Sequence, residues 1–168
     1  MDGVIRTRVG YSGGTTASPT YRNIGDHSET IQIDYDSTQI TYDQLLEFFW
    51  AGHSCSVQAP SRQYKSVIFY HNQQQKDTAQ QSKQIQEQAR GVSIVTEIES
   101  FDQFYLAEDY HQKYYLQQNR QIWNELRQVY PIMDDIIDST AAARFNGYVG
   151  GYKTLEDLEL ILLQAGKK

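Results

Sequence analysis

The chain reads as an α+β domain, and three observations carry that reading. Runs rich in β-branched residues stand at Val4–Tyr11 and Thr30–Tyr35, each next to turn-forming residues. Segments with helical spacing and end signals follow at Tyr42–Trp50 and Gln73–Arg90. The two kinds of signal intermix along the chain, so neither an all-helical nor an all-β arrangement fits. A length of 168 residues suits one domain with a real core.

In chain order, Val4–Tyr11 alternates poorly but is β-branched and runs into Gly13-Gly14. Thr30–Tyr35 alternates cleanly, with Ile31, Ile33 and Tyr35 on one face. Thr41 with Gln44 three residues on predicts a capping box, and Tyr42, Leu45, Leu46 and Phe49 continue a helix that Gly52 ends. Ser54–Arg62 is a loop containing Pro60, and Tyr64–Tyr70 reads as a buried strand. The glutamine-rich Gln73–Arg90 predicts a solvated helix with a thin stripe of Ala79, Ile85 and Ala89, closed by Gly91; a disordered tract is the alternative. Val92–Ile98 is a predicted strand and Asp109–Gln128 a helix anchored by Tyr110, Tyr114, Ile122 and Leu126. Pro131 opens a short helix through Ile136 and Ile137, and Thr154 caps a last one over Leu155–Ala165.

Composition narrows the function classes. Net charge is −6 and the pI about 5.1, which disfavours a nucleic-acid backbone as partner. Mean hydropathy is −0.63 and no apolar run reaches the length of a membrane span. Met1-Asp2-Gly3-Val4 carries no secretion signal, so the cytoplasm is the expected compartment. The one cysteine, Cys55, permits neither an internal disulfide nor an all-cysteine metal site. Thirteen tyrosines suggest half-polar packing surfaces and a pocket wall.

The long loop Ser18–Glu29, between the first two strands, is the place to look for function. It holds Tyr21, His27, Asp26 and Glu29. A glutamate partly buried at the mouth of a strand keeps its proton toward neutral pH and donates a hydrogen bond. Beside a tyrosine hydroxyl, it would polarise an S=O, C=O or P=O oxygen. Against this stand plainer readings: a solvated carboxylate for Glu29, and core packing for Tyr21 and Tyr64. His27 and His53 read as loop or capping histidines, with no spacing that fixes a metal.

Tyr11-Ser12-Gly13-Gly14, Pro19-Thr20-Tyr21 and Gly25-Asp26-His27-Ser28-Glu29 resemble the peptide methionine sulfoxide reductase A family. The resemblance continues in order through Phe49-Trp50, His53, Gln63-Tyr64-Lys65-Ser66, Phe69-Tyr70 and Phe104–Gln112. Asn146–Tyr152 is similar to one subgroup. The fold implied is an α/β plait, a ferredoxin-like mixed sheet with helices packed on it. It forms one domain over 1–168, with its core at about 3–116 and a helical C-terminal extension at about 117–168. The family's Gly-Cys-Phe-Trp motif does not occur, and the strand and helix that carry it are expected to be missing. Their loss would leave unpaired edges and exposed apolar surface.

The implied activity is thiol-dependent reduction of methionine-S-sulfoxide in proteins, an oxidative-damage repair. A thiolate attacks the sulfoxide sulfur while donors hold its oxygen. By resemblance, Tyr21, Glu29 and Tyr64 are the oxygen-polarising donors and bind substrate together with Asp109 and His111, with Glu108 in support behind them; the plainer reading of these acids is that they favour the dipole of the helix they open. The family's usual third acid has no clear counterpart. Cys55 is a possible substitute nucleophile, weighed against an inert thiol; His53 two residues away could activate it. Neither metal nor cofactor is implied. The expected partners are a methionine-sulfoxide peptide or protein and an external thiol such as thioredoxin or dithiothreitol. Without the family cysteine, little turnover is expected. The alternative is a non-catalytic binder of methionine sulfoxide or a similar polar ligand.

Overall fold

The computed structural model describes residues 1–152, so the predicted helix at Leu155–Ala165 lies outside the described residues. Strand β1 (Val4–Ser12) is central in a three-stranded antiparallel sheet, flanked by β2 (Ser28–Tyr35) and β5 (Phe104–Leu106) in the order β2-β1-β5. Strands β3 (Val67–Tyr70) and β4 (Glu97–Ser100) form a separate parallel pair. The mixed sheet expected of the plait is therefore present as two ladders. The helices are α1 (Tyr42–Ala51), α2 (Gln73–Arg90), α3 (Tyr114–Gln118), α4 (Arg120–Val129), α5 (Met133–Asp138) and α6 (Thr140–Val149).

Local chemistry explains the sharpest boundaries. Thr41 Oγ1 accepts from the Gln44 N–H at 3.2 Å, and Gln44 Oε1 accepts from the Thr41 N–H at 2.9 Å, so the capping box starts α1. Asn72 caps α2 by accepting from the Gln75 N–H. Gly91, at φ 65°, ends α2 in the left-handed conformation, and its N–H bonds Glu87. Gly10 is required by crowding: a Cβ there would lie 2.2 Å from the Tyr105 carbonyl oxygen and 2.4 Å from the Phe104 ring. Its absence lets β5 close against β1.

Four expectations are corrected. The strand predicted from Tyr64 begins at Val67, because Arg62–Tyr64 coils into a 3-10 turn in which the Lys65 N–H bonds Arg62. The strand predicted at Val92–Ile98 is confined to Glu97–Ser100, since its four-residue partner β3 offers pairing only from Val67↔Glu97 onward. The helix predicted at Asp109–Gln128 breaks twice. Lys113 takes φ 49°, and Asn119 ends α3 and caps α4 through Ile122. Tyr110 and Tyr114, expected as anchors of that helix, are exposed, whereas Leu126 is buried. Ile85, expected on the apolar stripe of α2, is also exposed; Ala79 alone of that stripe is fully buried.

Two apolar clusters hold the chain together. One joins Leu46, Trp50, Cys55, Ile68, Ala79 and Ile94 between α1, α2 and β3. The other joins Leu116, Leu126, Ile136 and Ala142 in the helices after β5. That helical unit is clamped to β1 by the buried Lys113, whose Nζ donates to the Thr7 and Ile137 carbonyls. Arg6 and Arg8 of β1 add ion pairs to Asp34 of β2 and Asp138 of α5.

Candidate active site

The antiparallel register sets Tyr11 opposite Glu29 on one side and Tyr105 on the other. Directly opposed residues share a sheet face, so Tyr11 and Glu29 look into the same hollow. That hollow is a cavity of about 290 Å³ lined by Val9, Gly10, Tyr11, Tyr21, Glu29 and His111, among others. Tyr64 stands at its edge, lining the adjoining groove together with Glu29.

The loop that carries Tyr21 is held by its own polar groups. His27 is buried; its Nδ1 accepts from the Gly14 N–H at 3.1 Å, and its Nε2 lies 2.8 Å from the Thr16 carbonyl. Asp26 accepts from the backbone and hydroxyl donors of both Thr15 and Thr16. Those bonds, led by the Thr16 hydroxyl, hold its carboxyl far below the usual range. Arg62 ties the 3-10 turn to this loop by donating to the Asp26 carbonyl at 2.7 Å. A tight turn follows, closed by the mutual backbone bonds of Thr20 and Asn23, and Tyr21 sits within it.

Tyr21 and Glu29 line the hollow, and Tyr64 stands beside Tyr21 at its edge. The Tyr64 phenol is pushed above its ordinary value, chiefly by the neighbouring Tyr21 hydroxyl. The Tyr21 ring lies 4.7 Å from the His111 ring, and His111 Nε2 is buried without a protein partner. Glu29 departs from expectation in its surroundings. It is exposed, and its Oε1 accepts from Gln63 Nε2 at 2.6 Å, so its carboxyl is engaged as an acceptor. It is the second residue of β2, between its partner Tyr11 on β1 and Gln63 of the 3-10 turn. Asp109 does not join the cavity lining; it is exposed, and its carbonyl accepts from Gln117.

Cys55 lies elsewhere. It is buried with Trp50, Ala79 and Ile94, and Arg90 Nη1 donates to its Sγ at 3.0 Å. His53 does not reach it: its Nδ1 is 2.7 Å from the Phe49 carbonyl and its Nε2 2.8 Å from Ser66 Oγ. Residue-level reasoning missed Tyr11, whose hydroxyl donates to Glu108 Oε2 at 2.6 Å, and Gln63, which engages Glu29. Both lie inside the quoted motifs, so the signal was present without an assigned role. Among the described residues, no group of three His, Cys, Asp or Glu side chains is placed to hold a metal, and no helix is long and apolar enough to cross a membrane.

A mixed α+β scaffold thus gathers the phenols of Tyr11 and Tyr21, the Glu29 carboxyl and the His111 imidazole around one small hollow. The model of the peptide methionine sulfoxide reductase family matches residues 1–143. A peptide methionine sulfoxide reductase of Drosophila melanogaster is 42% identical over 94% of this chain and 63% of its own length. The A5 protein of that name from Arabidopsis thaliana is 36% identical over 88% of this chain and 60% of its length. Reduced Mxr1 from Saccharomyces cerevisiae superposes with a TM-score of 0.62 at 29% identity, covering 71% of this chain and 74% of that one. Methionine sulfoxide reductase A of Corynebacterium diphtheriae does so with 0.58 at 32% identity, over 70% and 65%. The chain belongs to the peptide methionine sulfoxide reductase family. It spans 63% and 60% of the first two relatives' lengths.

Proposed function

We propose that the chain is the sulfoxide-holding part of a peptide methionine-(S)-S-oxide reductase, which repairs oxidised methionine in proteins. The convergence of Tyr21, Glu29 and Tyr64 at one hollow, beside the unpartnered His111 Nε2, carries this reading. In the reaction a thiolate attacks the sulfoxide sulfur and the S=O bond breaks. The oxygen passes to the attacking sulfur with one proton, methionine leaves as the thioether, and the thiol is left as a sulfenic acid. A second thiol reduces the sulfenic acid, forming a disulfide and water. Tyr21 and Tyr64 donate to the oxygen as charge develops on it. Glu29 serves as the third polar group, exchanging its Gln63 bond for substrate.

Cys55 is not the attacking thiol in this reading. Its sulfur is enclosed between α1 and α2 and bonded by Arg90, whereas attack demands close alignment with the sulfoxide. The thiolate is delivered to the hollow from outside that core. The proposed reductant is a cytoplasmic thioredoxin-type thiol. No prosthetic group takes part. Asp109 belongs to the rim that receives the peptide.

The test titrates the chain with a methionine-S-sulfoxide peptide and counts methionine formed with dithiothreitol. Tyr21→Phe and Glu29→Gln are each expected to weaken binding about five- to tenfold, the scale of one lost hydrogen bond. Cys55→Ser should leave both binding and the small methionine yield unchanged. Methionine formation that disappears in Cys55→Ser would overturn the assignment of the thiol. Absence of sulfoxide binding would overturn the reading itself.

A further inference from the structure

Glu108 links the central strand to the loop that carries Tyr21. It lies two residues past the end of β5, and its carboxylate accepts two bonds from residues far away in sequence. Oε2 accepts from the Tyr11 hydroxyl at 2.6 Å, and Oε1 accepts from the Tyr21 backbone N–H at 3.0 Å. Tyr11 is buried in the central strand, so one end of this bridge is anchored in the sheet. Tyr21 is exposed in the turn of a long loop, so the other end holds a residue with few other constraints. The backbone of the turn is otherwise closed by the bonds between Thr20 and Asn23, and Tyr21 further contacts His111 through its ring and lies beside Tyr64. The last two are side-chain contacts on the face that would meet a ligand, and neither fixes the backbone.

From this geometry we infer that Glu108 is a positioning residue, which fixes the Tyr21 backbone to the sheet and so sets where the Tyr21 phenol points. This role rests on the sulfoxide reading given above. The two ends of the bridge are matched in protonation. Burial, and then the bond to Glu108, push the Tyr11 phenol far above its ordinary value, so it remains a donor. Burial works to raise the Glu108 carboxyl. The bonds from Tyr11 and Tyr21 outweigh it and keep the carboxyl below the usual range, so it remains an acceptor for both. His111 adds to that lowering, and Tyr110 and Glu29 are the other charged or titratable groups acting on this pair.

Two measurements test the assignment. In the first, the Tyr21 amide proton is followed by NMR from pH 2 to 7. Its shift should track a carboxyl that titrates below the ordinary glutamate range, and that titration should vanish in Glu108→Gln while the spectrum stays folded. A Tyr21 amide that ignores pH, or titrates unchanged in Glu108→Gln, overturns the bridge. In the second, sulfoxide-peptide binding is measured for Tyr21→Phe, Glu108→Ala and the double variant. Each single change should weaken binding about tenfold. The double variant should be no weaker than Tyr21→Phe alone, because the two act on the same bond to substrate.

Glu108→Gln should recover most of the affinity lost in Glu108→Ala, since its carbonyl can accept from Tyr21 while its amide donates to the Tyr11 oxygen. Additive losses, about a hundredfold in the double variant, would mean that Glu108 acts on the fold and not through Tyr21. Binding that Tyr21→Phe weakens and Glu108→Ala leaves intact overturns the inference alone. A failure of the unaltered chain to bind overturns the sulfoxide reading, and the role assigned to Glu108 falls with it.

Discussion

Lys113 shows how one side chain can shape a boundary and a pH dependence together. Its residue is strained in the left-handed region, yet its buried Nζ reaches the carbonyls of Thr7 and Ile137. That clamp, and not local propensity, ends the preceding 3-10 turn and starts α3. Burial pulls the ammonium down to about 8 from the ordinary 10.5, partly opposed by the attraction of Asp138. Between those two values the unfolded chain holds a proton that the folded chain has released. Stability therefore rises as pH climbs through that window, and it is lower below the window by about 3 kcal/mol. Urea melts at pH 7.5 and 9.5 should show about 2 kcal/mol of this gain, since 9.5 lies inside the window, and Lys113→Met should flatten it. A gain of equal size in Lys113→Met would remove Lys113 as its source.

The elements that were legible in the sequence are those whose ends are fixed by near neighbours. Thr41 with Gln44 brackets the start of α1, and Gly91, bonded to Glu87, closes α2; each contact spans only a few residues. Thr41→Ala removes the acceptor for the Gln44 N–H and should cost about 1 kcal/mol of stability in chemical denaturation. A loss below a few tenths would mean that solvent satisfies that N–H equally well. The illegible features were set at long range. The break at Lys113 depends on Thr7, 106 residues away in sequence. The short length of β4 depends on where β3 leaves its 3-10 turn. In the site, the motifs named Tyr21, Glu29 and Tyr64, and the fold gathers them. The exposure of Glu29 and the 87-residue link from Tyr21 to Glu108 carry no local signal, because they arise only once β5 lies against β1.

At the scale of the molecule, each apolar cluster has one of the chain's two tryptophans in it or against it. Trp50 belongs to the cluster between α1 and α2, and Trp123 packs against the cluster of Leu116, Leu126, Ile136 and Ala142. Leu116 is wholly buried, so Leu116→Ala should destabilise the helical unit by about 2–5 kcal/mol. Fluorescence of single-tryptophan variants should then report Trp123 loosening at lower urea than Trp50. Coincident transitions would show instead that β1, which the helices α5 and α6 both contact, couples the two clusters into one cooperative unit.

The enclosure of Cys55 has a use at the bench. With its sulfur shut away beneath Arg90, and with no second thiol in the chain, a maleimide or disulfide reagent has nothing to react with until the α1–α2 core opens. Labelling would then proceed as a clock for that opening. At high reagent the rate reads how often the core breathes, and at low reagent it reads how deeply the closed state is favoured.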